Sequence, residues 1–257
     1  ATPAVAGSGR ARNRGDCGAR ILATFTLAST EGAELYAAHQ RSGAKVWPHG
    51  YGWDAALLHD AEKTGWTIAE VSISGGETAP VPSHLEAVWV DDISPDGSEL
   101  LIGQSFGEAR DGPVYTLPLP AGLPHRVGDI LAHGAGWSQN GDHIVYARGD
   151  ELYVAKPDGS ESHRLVTLPG PASRPRWSPD GKVLRFTMDD LGELRSSSLW
   201  EIASDGTRLH PLLPGWSNPS SECCGDWTRD GNYFLFWSRR GANTPNLWAV
   251  REGRELL

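Results

Sequence analysis

One short unit returns four times along the chain: ISPDGSELLIG (93–103), WSQNGDHIVYA (137–147), WSPDGKVLRFT (177–187) and WTRDGNYFLFW (227–237). Aligned on Gly97, Gly141, Gly181 and Gly231, the copies stand 44, 40 and 50 residues apart. A fixed period of about 40–50 residues is the mark of a repeat architecture, and it constrains this chain more than any other feature. Each copy has a physical reading. An apolar residue or Trp ends one strand. Ser/Thr-x-Asp/Asn-Gly then makes a tight turn, in which glycine supplies a positive φ and the Asp or Asn side chain bonds nearby backbone amides. A run rich in Val, Ile, Leu, Tyr and Phe begins the next strand. The turn residues so assigned are Asp96, Gly97, Asn140, Gly141, Asp180, Gly181, Asp230 and Gly231.

A second unit follows each first one: VYTLPLPAG (114–122), LYVAKPDGS (152–160), LWEIASDGT (199–207) and LWAVREGRE (247–255), with an earlier copy in WTIAEVSISGG (66–76). Further strands are expected at HRLVTL (163–168) and RLHPLL (208–213). Two hairpins per period make four strands, and four-stranded antiparallel sheets repeated about an axis are the blades of a β-propeller. The expected fold is therefore all-β. Blades fall at 88–131, 131–170, 171–216 and 217–257, and the half-unit at 64–86 implies a fifth. Residues 1–60, an irregular or divergent segment without an Asp-Gly hairpin, would complete it and add at most a sixth, while 61–257 carry the repeats. An incomplete ring is the alternative. The abrupt onset of repeat character near Thr64 is read as divergence upstream or as a stretch translated out of frame.

Composition narrows the function. Glycine (31) and proline (18) suit many turns. The formal charge of −9 and the pI near 5.4 argue against direct nucleic-acid binding, which needs clustered Lys and Arg. No apolar run of about 18 residues is present to span a membrane. The apolar run ILATFTLA (21–28) has the basic approach of a signal peptide but no clear cleavage site after it.

WSPDG with LWxxxxDG after it resembles the TolB-type propeller repeats, relatives of WD repeats found in bacterial proteins. The resemblance covers about residues 64–257 and is fullest over 131–216. ISPDGSELLIG, WSPDG, LHPLLPGW and ECCGDW, in that order, also resemble the propeller regions of bacterial regulators with an N-terminal winged-helix module and a transmembrane segment. That likeness implies a non-catalytic sensor or interaction domain, placed outside the cytoplasm and binding a protein, peptide or small ligand. Its loops at Glu108–Pro113, Leu191–Ser197 and Arg240–Pro245 are candidate contacts, since binding residues concentrate on loops. The competing expectation is the propeller of a prolyl-oligopeptidase-like enzyme, or a propeller enzyme with an axial metal.

Candidate chemistry is sparse. GQSFG (103–107) fits G-x-S-x-G, but no helix follows Ser105 as a nucleophile elbow requires. Each Asp-Gly turn offers one carboxylate, too few for a calcium loop. His125, His133, His143, His163 and His210 show no short zinc spacing. No catalytic, metal or cofactor residues are assigned, and no cofactor is expected. Trp137, Trp177 and Trp227 share one repeat position, and Tyr153, Trp200 and Trp248, with Tyr115, share another. Periodic aromatics of this kind are assigned to packing between blades, with a carbohydrate or peptide platform as the sharper alternative. In ECCGDW (222–227), strand alternation sends Cys223 and Cys224 to opposite faces, so two packed, unreactive thiols are expected.

Overall fold

The structure is a computed structural model that describes residues 55–60, 65–70, 79–86, 88–104, 110–190, 196–228, 230–240 and 246–252. All regular structure among them is strand, arranged in five antiparallel sheets. Sheet I comprises β1 (Ala55–Asp60), β2 (Gly65–Glu70) and β3 (Ala79–Val81). Sheet II comprises β4 (Val88–Ile93), β5 (Glu99–Gln104), β6 (Gly112–Pro118) and β7 (His125–Ala132). Sheet III comprises β8 (Ala135–Trp137), β9 (Ile144–Arg148), β10 (Glu151–Ala155) and β11 (His163–Thr167). Sheet IV comprises β12 (Ala172–Trp177), β13 (Val183–Asp189), β14 (Ser197–Ala203) and β15 (His210–Pro211). Sheet V comprises β16 (Cys223–Trp227), β17 (Tyr233–Ser238) and β18 (Asn246–Arg251). Strand order in every sheet follows the sequence, so each is a meander of hairpins. β1 falls inside the stretch 1–60 and pairs with β2, so sheet I begins before residue 61.

The Asp-Gly hairpins are built alike. The Gly97 N–H donates to Ser94 O at 2.8 Å, while Ser94 Oγ and the Ser98 N–H donate to Asp96 Oδ1. The same pattern recurs at Ser178, Asp180 and Lys182, and with Thr228, Asp230 and Asn232. Asn140 substitutes its amide oxygen for the carboxylate. Gly97, Gly141, Gly181 and Gly231 all have φ between 69° and 75°, where a Cβ would be strained.

The core lies between sheets. Ile68 and Val81 of sheet I pack with Val88, Val90 and Ile102 of sheet II. Leu101, Val127 and Ile130 of sheet II pack with Trp137, Ile144 and Tyr146 of sheet III. Val145 and Leu152 of sheet III meet Leu184, Phe186 and Ile202 of sheet IV. Leu199 and Leu213 of sheet IV meet Trp227, Phe234 and Phe236 of sheet V. The repeat-position aromatics stand in these seams, with Tyr153 against the II–III cluster, Trp177 and Trp200 against III–IV, and Trp248 against IV–V. The first strands β4, β8, β12 and β16 touch one another in succession and so face a common axis. Among the described residues the five sheets are not closed into a ring.

Candidate functional site

Counting back five residues from each hairpin glycine gives Asp92, Gly136, Arg176 and Asp226, each one place before the Ile or Trp that ends an innermost strand. These positions meet at the axis. Asp92 Oδ1 accepts the N–H of Ile93 in its own sheet, and Oδ2 accepts the N–H of Trp137 in the next, both at 2.8 Å. Asp226 repeats the first half of this arrangement with the N–H of Trp227, also at 2.8 Å.

Arg176 comes from sheet IV and crosses sheet III to reach sheet II. Its Nη1 donates to Ala135 O at 2.8 Å and Pro175 O at 2.9 Å, and Nη2 donates to Asp91 O. Its Nε lies 3.4 Å from Asp226 Oδ2, an ion pair without the alignment of a hydrogen bond. Gly136 makes the crossing feasible: a Cβ there would stand 2.6 Å from Pro175 O, 3.3 Å from Arg176 Nη1 and 3.4 Å from Asp92 Oδ2.

All of these charges are buried. Burial pushes Asp92 up to about 7, against the pull of Arg176 and with a further push from Asp226. It pushes Asp91 up to about 6 against Arg174 and Arg176. Burial alone would lower Arg176, but the three carboxylates outweigh it and hold the guanidinium above its ordinary value. Arg174 is drawn down to about 10, chiefly by burial. The Trp89 indole N–H donates to Asp91 Oδ1 at 3.0 Å. Trp89 in turn lies over Gly103, where a Cβ would be 2.6 Å from its ring. That accounts for the first glycine of GQSFG; Ser105, Phe106 and Gly107 lie outside the described residues.

The innermost strands begin at the end of the fold where β5, β13 and β17 finish, and the loops at Glu108–Pro113, Leu191–Ser197 and Arg240–Pro245 leave from there; only 110–113, 196–197 and 240 of them are described. At this end Arg110 of sheet II forms an ion pair with Asp189 of sheet IV, passing over sheet III. His133, at the entry to sheet III, places Nδ1 2.6 Å from Arg110 O. Burial holds the His133 imidazole below its ordinary value, and the charges of Arg110 and Arg174 act in the same direction. Among the described residues no three His, Cys, Asp or Glu side chains are grouped to hold a metal ion. No helix there is long and apolar enough to cross a membrane.

The cysteines differ from expectation. Cys223 and Cys224 are joined by a disulfide, so they are not two separate packed thiols. Alternation fails because Cys224 has φ of 60° and the pairing register shifts between Cys223 and Asp226. The repeat itself foreshadows this. Gly134 and Arg174, at the same position in sheets III and IV, also have positive φ, at 106° and 51°. The axial charges were not singled out from the sequence either. Their signal is a column reading Asp, Gly, Arg, Asp directly before an otherwise apolar column.

Sheets of this topology, ranged with their first strands inward, define the blades of a β-propeller. Among solved structures the chain is similar to a putative TolB from Agrobacterium tumefaciens, with TM-score 0.63 and 19% identity over 80% of this chain and 79% of that one. It is also similar to TolB from Acinetobacter baumannii, with TM-score 0.61 and 16% identity over 86% and 55%. At those identities the likeness is one of fold. In sequence it is 26% identical over 142 residues to the uncharacterized protein Atu1656 of Agrobacterium fabrum, covering 52% of this chain and 44% of that protein. It is 29% identical over 85 residues to the uncharacterized peptidase YuxL of Bacillus subtilis, covering 31% and 13%. The matches thus span less than half the length of these curated relatives. No protein-family model matches the chain.

Proposed function

We propose that the chain is a non-catalytic binding propeller, the sensory part of a larger bacterial regulatory protein, acting outside the cytoplasm on a protein, peptide or small ligand. The observation that carries this reading is the Arg110–Asp189 pair, which ties two non-adjacent sheets across the end where the variable loops gather. With His133 and Arg174 beside it, that end presents polar groups that can exchange partners, whereas the axis below is occupied by mutually paired charges. The inter-sheet aromatics support packing over a carbohydrate platform, since the indole N–H groups of Trp137, Trp177 and Trp248 are buried without an acceptor. A panel of peptides, amino acids, saccharides and organic acids, read by thermal shift, tests the proposal. A ligand should raise the melting temperature of the wild type and fail to do so in Arg110→Ala. Ligand shifts that survive in Arg110→Ala would place binding elsewhere.

The match to a protein described as a peptidase favours a second reading, in which the propeller serves a peptidase domain. The two readings part on the flanking coding sequence. A winged-helix module upstream supports the sensor, and an α/β hydrolase domain downstream supports the peptidase.

A further inference from the structure

The disulfide between Cys223 and Cys224 joins neighbouring residues whose Cα atoms are 3.7 Å apart. It closes a loop with no residue inside it, so it removes little freedom from the unfolded chain and contributes little as a staple. Nor does it create the backbone it sits on. Gly134 and Arg174 also have positive φ at the same repeat position, with no sulfur involved. The register slip between Cys223 and Asp226 likewise has its counterpart between Ser173 and Arg176. The neighbouring sheet holds the turn directly, since the Cys224 N–H donates to Thr187 Oγ1 at 3.0 Å. The bulge therefore belongs to the repeat, and it brings together two side chains that regular alternation would separate. Both cysteines are half-buried, whereas Gly225, Asp226 and Trp227 after them are buried.

From this geometry we infer that Cys223 and Cys224 form a reversible dithiol–disulfide site, preset by the backbone, which opens and closes without loss of the fold. Opening breaks the Sγ–Sγ bond. Two equivalents of a small thiol, or one dithiol, supply two electrons and two protons and leave as the corresponding disulfide, while the chain keeps two thiols. In the open form the paired sulfurs are a two-point ligand for a thiophilic centre such as trivalent arsenic, because soft thiolates select soft ions.

Thiol counting on protein first treated with oxidised glutathione tests the site. Because oxidised glutathione also caps a lone thiol, the count is made in Cys17→Ser, where alkylation after unfolding should add no group. After dithiothreitol treatment of folded Cys17→Ser and its removal, alkylation should add two groups, and renewed oxidised glutathione should return the count to none with no glutathione retained in the intact mass. Circular dichroism and the melting temperature should be the same in both forms. The folded, reduced protein should bind one equivalent of phenylarsine oxide, and Cys223→Ser should bind none. A disulfide that resists reduction until the protein unfolds would overturn the inference. So would loss of the melting transition on reduction, or arsenical binding that persists in Cys223→Ser.

Discussion

Replacing Arg176 with Met keeps much of the side chain's volume and removes the cation around which the axis is organised. Three carbonyls, those of Asp91, Ala135 and Pro175, lose a charged donor, and Asp226 loses its partner at 3.4 Å. Removing one member of a buried ion pair costs about 3–5 kcal/mol, because the other charge stays behind without compensation. Carbonyls stripped of a donor add to this, at about 1–3 kcal/mol where no other donor reaches them. Protonation of the stranded carboxyls works in the opposite direction. Asp92 is pushed up to about 7 even with Arg176 beside it, so without Arg176 it holds its proton to higher pH still. The expected loss is therefore about 4 kcal/mol near pH 8 and roughly half that near pH 5.5, where Asp92 is protonated. Against a total stability of about 5–15 kcal/mol, such a loss is large. Urea unfolding followed by tryptophan fluorescence at both pH values measures it. Asp92→Asn and Arg176→Met made together should cost less than the sum of the two single changes. A loss below about 1 kcal/mol near pH 8, or one that does not vary with pH, would refute the electrostatic account of the axis.

Three further outcomes follow from the same geometry. Asp91 and Asp92, raised to about 6 and about 7 chiefly by burial, bind more protons folded than unfolded, so their contribution to stability is greatest near pH 4 and falls as pH rises through those values. Asp180 and Asp230, lowered to about 2 by turn hydrogen bonds, act with the opposite sign, but only as the pH falls from their ordinary value of 3.8 toward 2. A urea midpoint that rises steadily from pH 4 to about pH 8 would contradict the first assignment. Gly136→Ala sets a methyl 2.6 Å from Pro175 O and should lower stability by about 1–3 kcal/mol, measurable as a lower melting temperature. Trp227→Ala empties the seam between sheets IV and V, where Arg185 also lies 4.8 Å over the ring, and should cost about 3–5 kcal/mol in urea unfolding.

The hairpins could be read from the sequence because their determinants are local. Asp180 and Gly181 meet their partners within a few residues, and the strand on either side of the turn shows its pattern directly. The axis could not be read in the same way. Arg176 bonds Asp91 O from 85 positions away, and nothing near either residue announces the other. The disulfide lay between these cases. Alternation is the correct default for a strand, and it failed at Cys224 because a bulge shared by several sheets interrupts it. Positive φ at Gly134 carries an ordinary sequence signal, but at Arg174 and Cys224 it carries none.

The repeat explains how each sheet forms, but not how sheets are told apart. Four identical blades would place the same side chain at the axial position of each, and like charges buried around one axis would repel. The chain instead sets Asp92, Gly136, Arg176 and Asp226 there. Gly136 and Arg176 depart from the two aspartates in a way that their neighbours make tolerable. Gly136 leaves room for an arginine from the following sheet, and that arginine meets acids on both sides. Exchanging Arg176 with either aspartate, or Gly136 with any of the other three, would bury like charges together or close the gap over sheet III. The axial column therefore varies between sheets where the hairpins do not, and its cost is the desolvation that raises Asp91 and Asp92. On this argument the axis is a structural key. The end of the fold above it holds the Arg110–Asp189 ion pair, His133 and the Cys223–Cys224 pair.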